Sequence, residues 1–201
     1  MSGQALVTTD DAEIDNMTDD DVREFVTFKI AGQLFGIPVL IVQDILLPEK
    51  IASIPLAPPE VRGSINLRGR IVTVIDVRVR LGLERREINK AVEQAKIAAA
   101  EAVKAGGKED PEAERELVDQ VEAVQAKVRS HMMGVTVEQH NELYTLLVDS
   151  VGDVISLNKK NYEGNPGTLD PLWRDFASGV YRLDSDLMVV LDVERLLDIK
   201  M

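Results

Sequence analysis

Residues 63–78 read GSINLRGRIVTVIDVR, and residues 179–194 read GVYRLDSDLMVVLDVE. Each stretch starts at a glycine, passes a short apolar run and a polar turn, and continues through an apolar strand to Asp-Val. Aligning Gly63 with Gly179 also brings Asp76 onto Asp192. The two stretches therefore have the same plan, except that only the first has Arg-Gly at its turn.

A second pair of segments repeats in the same order. Aligning FGIPVLIVQDI (35–45) with YTLLVDSVGDV (144–154) brings Val42 onto Val151 and Asp44 onto Asp153. Apolar strands resemble one another, which explains one such match but not two in register and in order. We therefore infer an internal duplication.

Each half contains about five short strands with closely spaced turns. A sheet this small leaves its edges exposed unless it curls into a barrel. The sequence predicts an all-β domain over residues 22–198 with two five-stranded barrels that share a core along their seam. The first barrel repeat spans about 24–83 and the second about 132–198.

Local patterns place the individual elements. Alternating apolar residues in EFVTFKI (24–30) predict a strand, and a hairpin turn follows. LIVQDILL (40–47) favours a short helix or bend. Later segments predict a tight turn at Arg68-Gly69 with a strand from Ile71 to about Val79, a hairpin turning within 139–142, a helix start at 170–173, and a strand over 187–193 with a helix to 197.

Two segments differ from the barrels. Residues 1–21 are acidic and contain no basic residue, which is typical of a disordered tail. Residues 84–130 contain no aromatic residue and are rich in Ala, Glu, Lys and Gln, which predicts an inserted α-helical hairpin. That hairpin could be a solvated spacer, could pack on itself, or could contact a partner.

Composition restricts the function classes. The net charge of −12 disfavours nucleic-acid binding and attachment to an anionic membrane surface. Without cysteines there is no thiolate or disulfide chemistry. The sequence has no secretory signal and no apolar run long enough to span a membrane, so we expect a cytoplasmic protein.

Catalytic motifs are absent from the sequence. His131 and His140 are the only histidines, and neither lies in a motif. There is no phosphate-binding loop, dinucleotide fingerprint or metal-ligand pattern. We expect no enzyme activity, cofactor or metal. A small barrel that binds a ligand or an oligonucleotide is an alternative, although the few aromatics and the charge do not favour it.

Four segments together resemble the CheW family of bacterial chemotaxis adaptors: FGIPVLIVQDI, VRGSINLRGRIVTVIDVR, LLVDSVGDVISL and SGVYRLDSDLMVVLDVERLL. The resemblance implies two SH3-like five-stranded barrels around a shared core. It also implies a scaffold that couples chemoreceptor cytoplasmic tips to the regulatory domain of the chemotaxis histidine kinase, in arrays under the inner membrane. A CheW-like scaffold of another chemosensory pathway, such as pilus motility, is equally compatible with the sequence.

The resemblance also implies a receptor-binding groove. Its motif positions carry over to Val42, Asp44, Gly63 and Arg68, and less securely to Val151, whereas no motif locates the kinase-binding residues. Asp44 stands where the family usually has the longer Glu. Arg68 would project from the turn with five donors suited to carboxylates and carbonyls, although an exposed arginine often has no role.

Overall fold

The computed structural model describes residues 21–83, 132–184 and 186–199. Nearly all of the predicted acidic tail (1–21) and the whole predicted helical hairpin (84–130) lie outside these residues. No helix within the described ranges is both long enough and apolar enough to cross a membrane.

The described residues form eleven strands, three one-turn α-helices and two short 3-10 helices. The strands are β1 Val22–Ile30, β2 Gln33–Pro38, β3 Val42–Leu46, β4 Val61–Leu67, β5 Arg70–Asp76, β6 Met133–Gln139, β7 Glu142–Val148, β8 Ser150–Asn158, β9 Tyr162–Glu163, β10 Ala177–Arg182 and β11 Leu187–Leu191. The α-helices are α1 Val77–Arg80, α2 Pro171–Arg174 and α3 Val193–Leu197, and the 3-10 helices are Val39–Ile41 and Lys159–Asn161.

The strands form two sheets, which confirms the predicted all-β class with two β subdomains. The six-stranded sheet has the order β8-β1-β2-β11-β10-β9, and the five-stranded sheet has the order β3-β6-β7-β5-β4. Each sheet contains strands of both repeats, so the expectation of one barrel from residues 24–83 and another from 132–198 needs correction. The parallel pairs β2–β11 and β5–β7 join the repeats, and parallel neighbours cannot be linked by a hairpin that local sequence would reveal.

The strand pairing nevertheless follows the sequence repeat. In one parallel pair Val74 lies opposite Thr145, and in the other Val190 lies opposite Gly36. In the alignment of the repeats, Val74 corresponds to Val190 and Thr145 corresponds to Gly36, so the two pairs are equivalent. The two sheets are therefore equivalent assemblies, each built by exchanging strands between the halves.

The hydrophobic core has three parts. The largest cluster is shared by the two sheets and includes Phe28 and Phe35 of one and Val135 and Leu146 of the other. A smaller cluster around Tyr181 belongs to the six-stranded sheet, and another belongs to the five-stranded sheet. Strand β1 contributes to two of them, because alternate side chains point to opposite faces of a strand.

Two local predictions differ from the structure. LIVQDILL is not mainly a helix, because β3 occupies Val42–Leu46 after a single 3-10 turn and pairs with β6. Strands β5 and β11 end earlier than predicted, at Asp76 and Leu191. The cause is helix capping, since the Asp76 carboxylate accepts the N–H of Val79 and starts α1.

The predicted turns are confirmed in position. Hairpins turn at 31–32 and 140–141, and all four turn residues have positive φ. Helix α2 begins after Asp170, whose carboxylate accepts the N–H of Leu172, and Pro171 occupies its first position. These elements depend on short-range signals, which is why the sequence predicts them well.

Candidate functional site

The Arg68 turn joins β4 to β5 through only two residues. Leu67 pairs with Arg70, and the turn residues Arg68 and Gly69 have φ values of 51° and 85°. This left-handed geometry suits the twist of a two-residue hairpin, and glycine adopts it without penalty. The Asn66 Oδ1 accepts the N–H of Gly69 at 2.8 Å, which fixes the turn.

Asp44 lies on β3, beside the Arg68 turn. The pairing of β3 with β6 shifts between Val42 and Asp44, so a bulge lies directly before Asp44. Arg68 Nη2 is 2.8 Å from Asp44 Oδ2. Because β3 and β4 stand at opposite ends of the sheet order, this ion pair requires the five-stranded sheet to curl until its edges approach each other.

The ion pair contributes little to stability. The Arg68 side chain is 78% exposed and the Asp44 side chain 21% exposed. Exposed pairs of this kind typically stabilise a protein by about 0–1 kcal/mol. The effect of this ion pair is to orient Arg68. The Asp44 carboxylate holds the guanidinium over β3, while the exposed N–H groups of the guanidinium can bind a partner.

Gly63 has a different environment from the other predicted site residues. It is buried on β4, at a bulge opposite Val74, with φ of 141°. A methyl group at this position would overlap the Ala52 carbonyl oxygen and lie 2.8 Å from its carbon. The absence of a side chain allows Ala52 and Ser64 to exchange two backbone hydrogen bonds of 2.8 Å. Gly63 thus sets the shape of β4 from below the surface.

The two valines predicted for the groove lie in different sheets. Val42 pairs with Val137 in the five-stranded sheet, and Val151 pairs with Phe28 in the six-stranded sheet. Both are half-buried and pack against the shared core. The structure therefore brings Asp44 and Arg68 together, with Val42 on the same strand as Asp44, and places Val151 across the shared core.

Sequence reasoning missed two exposed isoleucines that are close along the chain to Asp44 and Arg68. Ile45 follows Asp44 on β3 and is 42% exposed, and Ile71 is the second residue of β5, two residues after the turn, and is 74% exposed. We call Asp44, Ile45, Arg68 and Ile71 the Arg68 surface. The alternation of β5, with Val72 and Val74 buried, was the available signal that Ile71 faces outward.

The neighbouring strand β7 carries a perturbed tyrosine. Tyr144 lies opposite Thr73 of β5, and its hydroxyl donates to Glu142 Oε2 at 2.6 Å. The hydrogen bond to this carboxylate raises the pKa of Tyr144. Among residues 21–83, 132–184 and 186–199, no three His, Asp or Glu side chains are grouped as metal ligands. The chemistry available at the Arg68 surface is therefore charge-assisted hydrogen bonding next to apolar contact.

Comparison with known proteins gives a consistent family. The sequence model of the CheW-like domain matches residues 24–103 and 115–201. A probable chemotaxis protein CheW of Rhizobium etli is 25% identical over 174 residues, which are 87% of this chain and 86% of that protein. The chemotaxis protein CheW of Treponema pallidum is 22% identical over 181 residues, covering 90% of this chain and 85% of the other.

A solved structure has the same fold. The crystal structure of the scaffolding protein TtCheW from Thermoanaerobacter tengcongensis superimposes with a TM-score of 0.61 and 22% sequence identity. The match covers 89% of this chain and 94% of that one. At this identity the likeness supports the architecture of two exchanged β subdomains.

Proposed function

This chain belongs to the CheW family of chemotaxis adaptor proteins, and we propose that it joins chemoreceptor cytoplasmic tips to the regulatory domain of the chemotaxis histidine kinase. In this role it contributes no chemical step of its own. It holds two partners at a fixed distance and orientation, within arrays beneath the inner membrane.

We assign receptor binding to the Arg68 surface. The observation that carries this assignment is the ion pair between Arg68 and Asp44, which holds a largely exposed guanidinium, together with exposed Ile45 and Ile71 close to the pair along the chain. A receptor segment with carboxylates or carbonyls beside apolar side chains would complement it. The arginine fork supplies directional hydrogen bonds, and the isoleucines supply apolar area.

Gly63 and Val42 contribute indirectly in this proposal. Gly63 lets β4 approach Ala52 and so fixes the strand that leads into the Arg68 turn. Val42 anchors β3 against the shared core, immediately before the bulge that presents Asp44. Val151 supports the same core from the other sheet, which makes its effect on binding smaller than that of Arg68.

Individual contacts of this adaptor are expected to be moderate in strength. A small exposed surface with one ion pair suits a transient interface, and affinity in an array arises from many simultaneous contacts. Shortening the family's usual Glu to Asp44 keeps the carboxylate close to β3, where it pairs with Arg68 within the chain. A receptor group must therefore share or displace this carboxylate.

The test is a pull-down of the purified full chain with a receptor cytoplasmic fragment and, separately, with the kinase regulatory domain. Arg68→Ala should weaken receptor binding and leave kinase binding unchanged. Arg182→Ala is the matched control, because Arg182 forms an exposed ion pair with Glu163 in the second repeat, at 2.9 Å. Normal receptor binding by folded Arg68→Ala would refute the assignment. Equal losses of receptor binding in Arg68→Ala and Arg182→Ala would also refute it, because the loss would then follow from removing any exposed positive charge.

A further inference from the structure

The loop between β3 and β4 ends in an apolar tip. The Ala57 N–H donates to the Ile54 carbonyl at 3.3 Å, which closes a β-turn through Pro55 and Leu56. Ile54 is 43% exposed and the Leu56 side chain is fully exposed. We call residues 54–56 the loop knob.

The backbone of the loop knob makes Leu56 an unexpected residue. Its φ is 61°, a left-handed conformation at the third position of the turn, where Gly or Asn is favoured. A leucine there is strained and also exposes its whole apolar side chain to water. The strain disfavours the folded state and the exposed side chain adds no buried area, so fold stability does not explain this leucine, and a contact with a partner would.

Both ends of the loop are held firmly. Ala52 is bonded to Ser64 of β4 on one side, and the Val61 N–H donates to the Pro58 carbonyl at 2.9 Å on the other. Proline at 55, 58 and 59 further restricts the backbone. The knob is therefore preorganised, which lowers the entropy lost when it docks.

Charge indicates what the loop knob contacts. Residues 51–59 read IASIPLAPP and carry no charge, although 29% of all residues in the chain are charged. A surface that receives this segment must be apolar and uncharged, because burying an unpaired charge against it would be unfavourable. Binding there should depend little on salt, in contrast to binding at the Arg68 surface.

Position separates the loop knob from the Arg68 surface. The loop enters β4 at Val61, and the Arg68 turn leaves β4 after Leu67. A seven-residue strand spans about 20 Å at about 3.3 Å per residue. Two partners can therefore occupy the two ends of β4 at the same time.

We propose that the loop knob is a docking point for a second protein, which receives Leu56 in an uncharged apolar pocket. This inference rests on the proposed function, in which the second protein is the kinase regulatory domain. The knob then supplies a kinase contact that no sequence motif locates.

The experiment measures binding of the full chain to the kinase regulatory domain and to a receptor fragment, at about 0.05 M and 0.5 M salt. Leu56→Asn removes the apolar side chain but tolerates positive φ, so thermal unfolding should be unimpaired. We expect about tenfold weaker kinase binding at both salt concentrations and unchanged receptor binding. Leu40→Asn is the matched control, since Leu40 is 89% exposed and lies outside the loop.

The outcomes separate the inference from the function it rests on. If the wild-type chain and Leu56→Asn bind the kinase domain equally well, the inference is refuted and the proposed function is not. An equal loss in Leu40→Asn also refutes it, because the effect would then not belong to the knob. Wild-type chain that binds neither protein refutes the proposed function and this inference with it. If the wild-type chain sediments with phosphatidylcholine vesicles and Leu56→Asn does not, the loop knob contacts a membrane, and the inference of a protein partner is overturned.

Discussion

Replacing Gly63 with alanine should unfold the protein at a much lower temperature, although the change adds only one methyl group. The methyl carbon would overlap the Ala52 carbonyl oxygen and lie 2.8 Å from the carbonyl carbon, whereas carbon atoms normally pack at about 3.5–4.0 Å. Because the obstruction is backbone, no side-chain rotation relieves it. Strand β4 and the 52–53 segment must move apart.

The magnitude follows from what this movement disrupts. It breaks two reciprocal backbone hydrogen bonds between Ala52 and Ser64, each contributing about 1 kcal/mol net. Alanine at φ of 141° adds roughly 1–3 kcal/mol of backbone strain. The sum is about 4 kcal/mol, which corresponds to a fall in Tm of roughly 8–16 °C for a chain of this size.

The assay is thermal unfolding followed by circular dichroism, with Gly69→Ala as the control. Gly69 also has positive φ, at 85°, but nothing lies within 4 Å of a methyl group there. Its substitution should therefore impose only the strain, about 1–2 kcal/mol. Equal falls in Tm for the two variants would refute the packing argument. We also expect weaker receptor binding by Gly63→Ala below its Tm, because β4 carries the Arg68 turn.

Three further variants test other parts of the fold. Asp149→Ala should lower the unfolding free energy in urea by about 2–3 kcal/mol, because buried Arg78 loses charge-assisted hydrogen bonds to a bidentate carboxylate at 2.6 and 2.5 Å; a loss below about 0.5 kcal/mol would contradict this. Asp192→Ala should lower it by about 1 kcal/mol, since its carboxylate caps α3, and an unchanged urea midpoint would argue against capping. Tyr181→Phe should raise it by about 1 kcal/mol, because the buried hydroxyl has no hydrogen-bond partner among the described residues. Burial raises the pKa of Tyr181 above 10.0, so ionisation of this residue leaves the stability unchanged below that pH and lowers it as pH rises through the folded pKa. The phenylalanine variant should lack that alkaline loss in urea titrations above pH 10, and an identical loss would contradict the assignment.

The candidate site was only partly predictable from sequence. Asn66 and Gly69 indicate a tight turn, and that turn leaves Arg68 projecting. The sequence does not indicate that Asp44, on a strand predicted as a helix or bend, lies 2.8 Å from that arginine. It also gave no distinction between Gly63, which is buried, and Arg68, which is exposed, because both belong to one motif.

By itself, the sequence determined the repeat, the hairpin turns, the start of α2 and the family, because these depend on residues close together in the chain. Tertiary structure alone decided that β2 pairs with β11 and β5 with β7, so that each sheet contains both repeats. Equivalent apolar strands of the two halves have almost the same local pattern, so sequence does not specify which copy supplies the partner. The choice of partner strand is made by the arrangement that buries both faces of the strands around one shared core. Reaching this arrangement requires the closure of long loops, which costs entropy.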